Sequence, residues 1–123
     1  MNGRQYLADT NAFVYLLQKK SFILPLLDSE WFFSFITEIE LLGKPRLQAE
    51  ELKTLKQLLK VAKKLPHVEE INEKAIALRQ RYAIKTPDAL IAATAWQYKV
   101  PLLTADTGFA KIKEINLFLL EFK

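Results

Sequence analysis

"TPDALIAATA" (residues 86–95) reads as the opening of a buried helix, because nearly every position after its first turn is small or apolar. Thr86 is a suitable N-cap, and Pro87 suits the first helical position, where a missing N–H costs nothing. The apolar run "VPLLTAD" (100–106) follows the helix and ends in an acid. A helix that leads directly into a buried strand predicts part of a parallel α/β unit.

The rest of the chain continues this alternation of strands and helices. The other predicted strands are 5–8, "EWFFSFI" (30–36), "VEEI" (68–71) and "NLFLLEF" (116–122). The other predicted helices are 10–20, a short Pro-interrupted segment at 22–29, a helix from the N-cap Thr37 to Gly43, an amphipathic helix over 48–65, a helix from the cap Asn72, and a short helix or turn at 107–112. The alternation predicts an α/β fold with helices on both faces of a parallel sheet, and the length fits a single domain over 1–123.

The composition excludes several classes of function. The chain has no cysteine, which removes disulfides, thiolate metal sites and thiol nucleophiles. The single histidine, His67, has no serine or cysteine motif near it, and we expect it to be structural or solvated. We expect no membrane span and a cytoplasmic location, because no apolar run is long enough and the N-terminus lacks a signal-peptide layout. The net charge of +4 mildly favours an anionic partner such as nucleic acid.

Four acids stand at comparable places in the predicted elements. Asp9 and Asp106 directly follow strands, and Glu40 and Asp88 fall in the first turns of helices. Each has an ordinary structural explanation, since Asp opens turns, "TEIE" is a capping box, and an acid complements a helix N-terminus. In a parallel α/β sheet, however, strand ends and helix starts meet at one edge, the usual ligand crevice. We therefore expect the four acids to converge there.

Converging carboxylates require a compensating cation, because like charges disfavour ionisation of one another. Ligands that are oxygen alone suit Mg²⁺ or Mn²⁺. Such an ion supports phosphodiester hydrolysis without cysteine or histidine, and this chain has no cysteine and one histidine. The acids thus predict metal-dependent hydrolysis at the carboxyl edge of the sheet.

The sequence resembles the PIN domains, especially the single-domain ribonuclease toxins of the VapC type. The motifs that carry the resemblance are "LADTN" (7–11), "TEIELLG" (37–43), "TPDALIAATA" (86–95) and "LLTADTGF" (102–109). They occur in the family's order and span nearly the whole chain. Many relatives carry a further acid just after the last aspartate, and "DTGF" has none.

The resemblance implies a three-layer α/β/α sandwich with a parallel sheet of about five strands. It implies Mg²⁺- or Mn²⁺-dependent endoribonuclease activity on an RNA substrate, a homodimer, and inhibition by a cognate antitoxin. The catalytic and metal-binding quartet would be Asp9, Glu40, Asp88 and Asp106, supported by Thr10, Asn11 and Thr104.

Three groups of residues are candidates for contacts with substrate or partner. Arg79 and Arg81 precede the third motif and are candidates for RNA contacts. A basic stripe has helical spacing and could follow an RNA backbone, although a solvated face is the commoner meaning of such a pattern; it comprises Lys53, Lys56, Lys60 and Lys63. An apolar cluster could form a dimer or antitoxin surface or belong to the core; it comprises Phe22, Ile23, Leu26, Leu27 and Trp31.

Other functions remain open at this stage. The same nuclease could be a housekeeping RNA-processing factor, which the gene neighbourhood would distinguish from a toxin. A non-catalytic PIN module that binds RNA or protein is disfavoured because all four acids are present. A receiver-like phosphoacceptor domain would need paired acids after the first strand, and "LADTN" offers one.

Overall fold

A parallel sheet forms the centre of the molecule. The computed structural model describes residues 4–18, 21–26 and 28–121. Within them the strands are β1 (Gln5–Ala8), β2 (Glu30–Phe33), β3 (Lys63–Lys64), β4 (Leu102–Thr104) and β5 (Leu117–Leu119). They form one five-stranded sheet in the order β3-β2-β1-β4-β5, and every pairing is parallel.

Helices connect the strands, as parallel pairing requires. They are α1 (Thr10–Leu17), α2 (Phe35–Leu42), α3 (Ala49–Val61), α4 (Glu69–Arg81) and α5 (Thr86–Tyr98). Two 3₁₀ segments, Ser21–Leu26 and Thr107–Lys111, complete the described connections. None of the described helices is long and apolar enough to cross a membrane.

The sheet carries a hydrophobic core on each face. On one face Phe13 of α1 packs edge-on against Trp31 and Phe33 of β2, with ring centroids 5.4 and 6.2 Å away. The other face is covered by α4 and α5, whose buried residues pack with Leu7 and Leu102. Strands buried on both faces read as continuous apolar runs. The predicted three-layer α/β/α sandwich with five parallel strands is confirmed.

The third strand is not where the sequence predicted it. "VEEI" (68–71) belongs to α4, where Glu69 and Glu70 occupy the first turn and complement the helix dipole. The strand is instead the two-residue β3, which pairs with Phe32 and Phe33 of β2. Both of its side chains are exposed, so it has no apolar pattern to signal a strand.

The start of α2 also differs from the prediction. Ser34, not Thr37, is the N-cap, and its hydroxyl accepts a hydrogen bond from the Thr37 amide at 3.4 Å. Glu40 therefore lies in the second turn, and the predicted capping box between Thr37 and Glu40 is wrong. The aromatic run "EWFFSFI" conceals this boundary, because Phe35 and Ile36 look like a continuation of the strand.

Other helix boundaries differ by a few residues. The helix predicted over 48–65 ends at Val61, so Leu65 lies beyond it. α4 begins at Glu69 and not after a cap at Asn72, whose side chain instead contacts the His67 ring at 2.9 Å. The N-cap of α5 is Lys85, which makes Thr86 its first residue.

The apolar cluster predicted around Trp31 is described only in part. Ile23, Leu26 and Trp31 are buried in the core. The Trp31 indole N–H donates to the Leu26 carbonyl oxygen at 3.3 Å. Leu27 and the side chain of Phe22 lie outside the described part of the chain.

The cap assignment can be checked by stability. Ser34→Ala removes the hydroxyl that caps α2 and should lower the free energy of unfolding by about 1 kcal/mol. Ser29→Ala is a matched control, because the buried Ser29 hydroxyl has no hydrogen-bond partner in the described part of the chain, and its removal should be neutral or stabilising. Urea denaturation of both variants measures the difference, and equal effects would contradict the assignment.

Candidate active site

Asp9 is the buried centre of the candidate site. It follows β1 directly and is 7% exposed. Its Oδ1 accepts from the Thr10 amide at 2.8 Å and so caps α1. Its Oδ2 accepts from the Thr104 hydroxyl at 2.8 Å, across the β1–β4 pairing. The carboxylate is thus held from the neighbouring strand as well as from its own helix.

Burial determines the protonation behaviour of this group. Loss of hydration raises the pKa of Asp9 from 3.8 to about 6, and the negative charges of Asp88 and Glu40 add to the rise. The hydrogen bonds from Thr104 and Thr10 favour the ionised form and therefore oppose this rise in pKa. Ionisation of Asp9 is therefore costly in the folded chain, and a nearby cation would relieve this cost.

The other acids lie around Asp9 and interact with one another. Burial raises the pKa of Asp88, and the charges of Asp106 and Glu40 raise it further, while Lys85 opposes the rise. Asp106 is exposed and follows β4, where its Oδ1 accepts from the Gly108 amide at 2.8 Å. The four predicted carboxylates therefore form one electrostatic cluster at the carboxyl edge of the sheet.

Glu40 reaches the cluster from the second turn of α2. Its Oε1 accepts from the Thr10 hydroxyl at 2.5 Å, and that hydroxyl also lies 3.4 Å from Thr37 Oγ1. Glu38 belongs to the first turn of the same helix and instead forms an ion pair with Lys64 at 3.1 Å. The two glutamates thus have separate partners, and only Glu40 contacts residues of the candidate site.

The cluster is not a closed metal cage. Among the residues that the structure describes, no group of three or more acidic or histidine side chains is arranged so as to hold an ion directly. One oxygen of Glu40 already accepts a hydrogen bond from Thr10, and one oxygen of Asp106 accepts from Gly108. The cluster nonetheless offers oxygen donors alone. Burial and, to a lesser degree, mutual repulsion raise the pKa of Asp9 and Asp88, and a divalent cation would offset the repulsion.

Comparison with known families decides the classification. The model of the family described as "PIN domain" matches residues 6–115. The chain belongs to the PIN-domain family. No curated protein is similar enough to count as a relative of the chain.

Solved structures share the fold of this PIN domain over nearly its whole length. A toxin–antitoxin complex from Klebsiella pneumoniae contains a chain that is 26% identical, with a TM-score of 0.82 and coverage of 96% of this chain and 99% of that one. FitAcB from Neisseria gonorrhoeae is 25% identical, with a TM-score of 0.76 and coverage of 92% and 96%. VapBC-1 from nontypeable Haemophilus influenzae, at 22% identity, shares the fold with a TM-score of 0.78 and coverage of 94% and 98%.

Three small polar residues connect the acids of this PIN domain. Besides binding Asp9, the buried Thr104 hydroxyl accepts from the Asp106 amide at 3.0 Å. The Asn11 side chain donates to Thr104 Oγ1 at 3.3 Å and accepts from the Ala105 amide at 3.0 Å. Thr10 binds Glu40, as described above. Their predicted supporting role agrees with these contacts and stays a prediction for the reaction itself.

The predicted RNA-contacting residues have structural partners as well. Arg79 Nε donates to the Ile84 carbonyl oxygen at 3.2 Å, and Arg81 forms an ion pair with Glu114. Lys63, at the end of the basic stripe, pairs with Glu30 at 3.1 Å. A substrate contact by any of them remains a prediction. No motif of the sequence indicated Lys85, which occupies the N-cap position of α5 and whose charge opposes the rise in the pKa of Asp88.

The raised pKa of Asp9 predicts a pH-dependent stability. An acid whose pKa is higher in the folded state costs stability once it ionises, so the cost is absent below pH 4 and complete above pH 6, where it reaches roughly 3 kcal/mol. Asp9→Asn keeps the shape and the cap without the charge. In metal-free buffer, its melting temperature should exceed that of the wild type at pH 7.5 and lose this advantage at pH 4. A constant difference across this range would contradict the assignment.

Proposed function

We propose that this PIN domain is a metal-dependent endoribonuclease and the toxin of a toxin–antitoxin pair. The observation that carries the proposal is the convergence of Asp9, Glu40, Asp88 and Asp106 at the carboxyl edge of the sheet. PIN domains are in general ribonucleases that use divalent metal ions. The toxin–antitoxin complex from Klebsiella pneumoniae, at 26% identity, supports the assignment beyond the fold.

The donor set of the cluster fits Mg²⁺ or Mn²⁺. Carboxylate oxygens are the ligands that these hard cations prefer, and Mg²⁺ keeps several waters, so few direct protein oxygens are needed. Asp9, Asp88, Asp106 and Glu40 would hold the ion directly or through its waters. When bound, the ion would supply positive charge for the transition state of phosphodiester hydrolysis and lower the pKa of a water.

The chain's own residues prepare the site for this chemistry. Thr104 and the Thr10 amide donate to the Asp9 carboxylate, so they orient it and favour its ionised form. The Thr10 hydroxyl donates to Glu40 and so holds this carboxylate beside the N-terminus of α1. Lys85 adds a positive charge beside Asp88, where it would contact the phosphate of an RNA strand that enters an otherwise acidic cluster.

Cleavage of RNA by the purified chain tests the enzymatic part of the proposal. Asp9→Asn and Asp106→Asn should each lower the Mn²⁺-dependent rate by about two orders of magnitude or more, because each removes an oxygen charge that the ion requires. Full activity in both variants, with unchanged dependence on Mn²⁺, would refute the site.

A matched pair of glutamates extends the same experiment. Glu40→Gln should lose most of the rate, whereas Glu38→Gln should change it little, because Glu38 faces Lys64 and not the cluster. Rates are compared under conditions where circular dichroism shows both variants folded. The reverse ranking would show that Glu38, and not Glu40, supplies the carboxylate of this helix to the site.

A groove beside the acids is suited to an antitoxin. It has a volume of about 510 Å³ and lies between α1, α2 and α3. Its apolar lining includes Val14, Leu17, Leu41, Leu47 and Leu55. Thr10 and Glu40 lie at the candidate site, and Glu50 and Glu51 add further acids to the lining. An amphipathic helix with basic residues would match this surface, and one of its cations would reach the acidic cluster.

The groove can be tested with the protein encoded beside the gene for this chain. Leu17→Lys adds a cation to the apolar lining and should weaken binding of that partner by about tenfold or more. Ile76→Lys is the control, because Ile76 is similarly apolar and 57% exposed but lies on α4, outside the groove. Isothermal titration calorimetry measures both affinities. Equal losses of affinity would exclude the groove as the binding site of the partner, and no binding by the wild type would favour a housekeeping nuclease.

The homodimer expected from the family resemblance stays a prediction.

A further inference from the structure

Two segments next to the acidic cluster are tied to each other. Residues 82–85 lead into α5, which carries Asp88 in its first turn. Residues 111–114 begin at the last residue of the 3₁₀ segment Thr107–Lys111, whose N-cap is Asp106. The two segments are far apart in the chain, and each is close in sequence to one of two acids that repel each other.

Glu114 is the centre of this connection. Its side chain is 12% exposed and forms an ion pair with Arg81 at the end of α4. Its Oε1 accepts from the Tyr82 hydroxyl at 2.8 Å, and the same hydroxyl accepts from the Lys113 amide at 3.2 Å. The Tyr82 hydroxyl thus acts as donor and acceptor at once, and it joins the two segments from both sides. We refer to Tyr82 and Glu114 as the latch.

Other contacts also join the same two segments. Lys111 Nζ donates to the Ala83 carbonyl oxygen at 3.1 Å. The ring of Tyr82 packs against the core cluster that contains Ile112 of the second segment and Phe109 of the 3₁₀ segment before it. The latch is therefore supported by an apolar contact and is shielded on one side from solvent, which strengthens its hydrogen bonds.

A latch at this place has a consequence for the acids. Asp88 and Asp106 belong to different elements, and their charges disfavour close approach. Hydrogen bonds that join the adjoining segments oppose this separation without using any oxygen of either acid. The pair is thus kept ready for a cation before one binds, and less binding free energy is consumed in bringing the acids together.

We propose that Tyr82 and Glu114 are positioning residues that keep Asp88 and Asp106 near each other before a divalent cation binds. The inference rests on the proposed function, since it concerns the same acids. Neither residue contacts the acids in the described structure, so both act through the segments that carry them.

Metal binding without RNA provides the first test. Mn²⁺ is titrated against the purified chain, and its binding is followed by the rise in melting temperature. Tyr82→Phe and Glu114→Gln should each raise the half-saturating Mn²⁺ concentration by about fivefold, the effect of one hydrogen bond on a binding constant. At saturating Mn²⁺ the RNA cleavage rate should recover to near the wild-type value, which a general loss of folding would not allow.

The chain offers matched controls for both variants. Tyr98→Phe removes a hydroxyl that donates to the Pro66 carbonyl oxygen at 2.5 Å, at the opposite end of α5. Glu38→Gln breaks an ion pair of the same kind with Lys64. Both controls should leave the half-saturating Mn²⁺ concentration unchanged, whatever they do to the melting temperature.

A metal-free measurement separates this inference from the proposed function. Amide hydrogen exchange at Gly108, which Asp106 caps, should accelerate in Tyr82→Phe but not in Tyr98→Phe. If the wild type binds Mn²⁺ and the latch variants match their controls in both measurements, the positioning role of the latch is refuted, while the proposed nuclease function is unaffected. If the wild type shows no response to Mn²⁺ and no cleavage, the proposed function fails and the inference fails with it.

Discussion

The pairing of β1 with β4 is the contact on which the candidate site depends. Ala8 lies opposite Leu103, and the Asp9 amide donates to the Leu103 carbonyl oxygen at 2.9 Å, so the two chains leave the sheet side by side. Asp9 and Thr104 therefore meet at the point where the regular strands end. A slip of one residue would turn alternate side chains to opposite faces and separate them. The apolar residues on both faces of these strands make such a slip costly.

The acids combine a structural role with a candidate catalytic one. Asp9 caps α1 with one oxygen, and Asp106 caps a 3₁₀ turn, as their ordinary structural explanations require. These caps also orient the carboxylates, because the donors come from the backbone of the same turns. What capping alone does not account for is their common location, where burial raises the pKa of Asp9 to about 6 and the charges of Asp88 and Glu40 add to the rise. The caps fix where each acid points, and the sheet determines that they converge.

The sequence predicted those parts of the fold in which local pattern and tertiary packing agree. β1, β4 and α5 are apolar runs bounded by acids or by Pro87, and they lie close to their predicted bounds. β3 could not be predicted, because it consists of two exposed lysines and has no apolar pattern that would indicate its pairing with β2.

The sequence likewise predicted part of the candidate site and not the rest. The order of strands and helices places four acids at one edge, and the charges of the predicted four do interact. The orientation of Glu40 followed from the family resemblance, while its supposed capping geometry was wrong. The contact of Tyr82 with Glu114 joins residues without periodicity or motif, so only the folded chain reveals it.

The two ends of the sheet differ in how readily they would accept another strand. At one end β3 is two residues long and both side chains are charged, which are two features that discourage strand addition. At the other end β5 carries Phe118, which is 38% exposed and packs edge-on against Tyr6. Edge-to-edge self-association at high protein concentration would therefore begin at β5. A lysine at position 118 would give that edge the same protection that β3 already has.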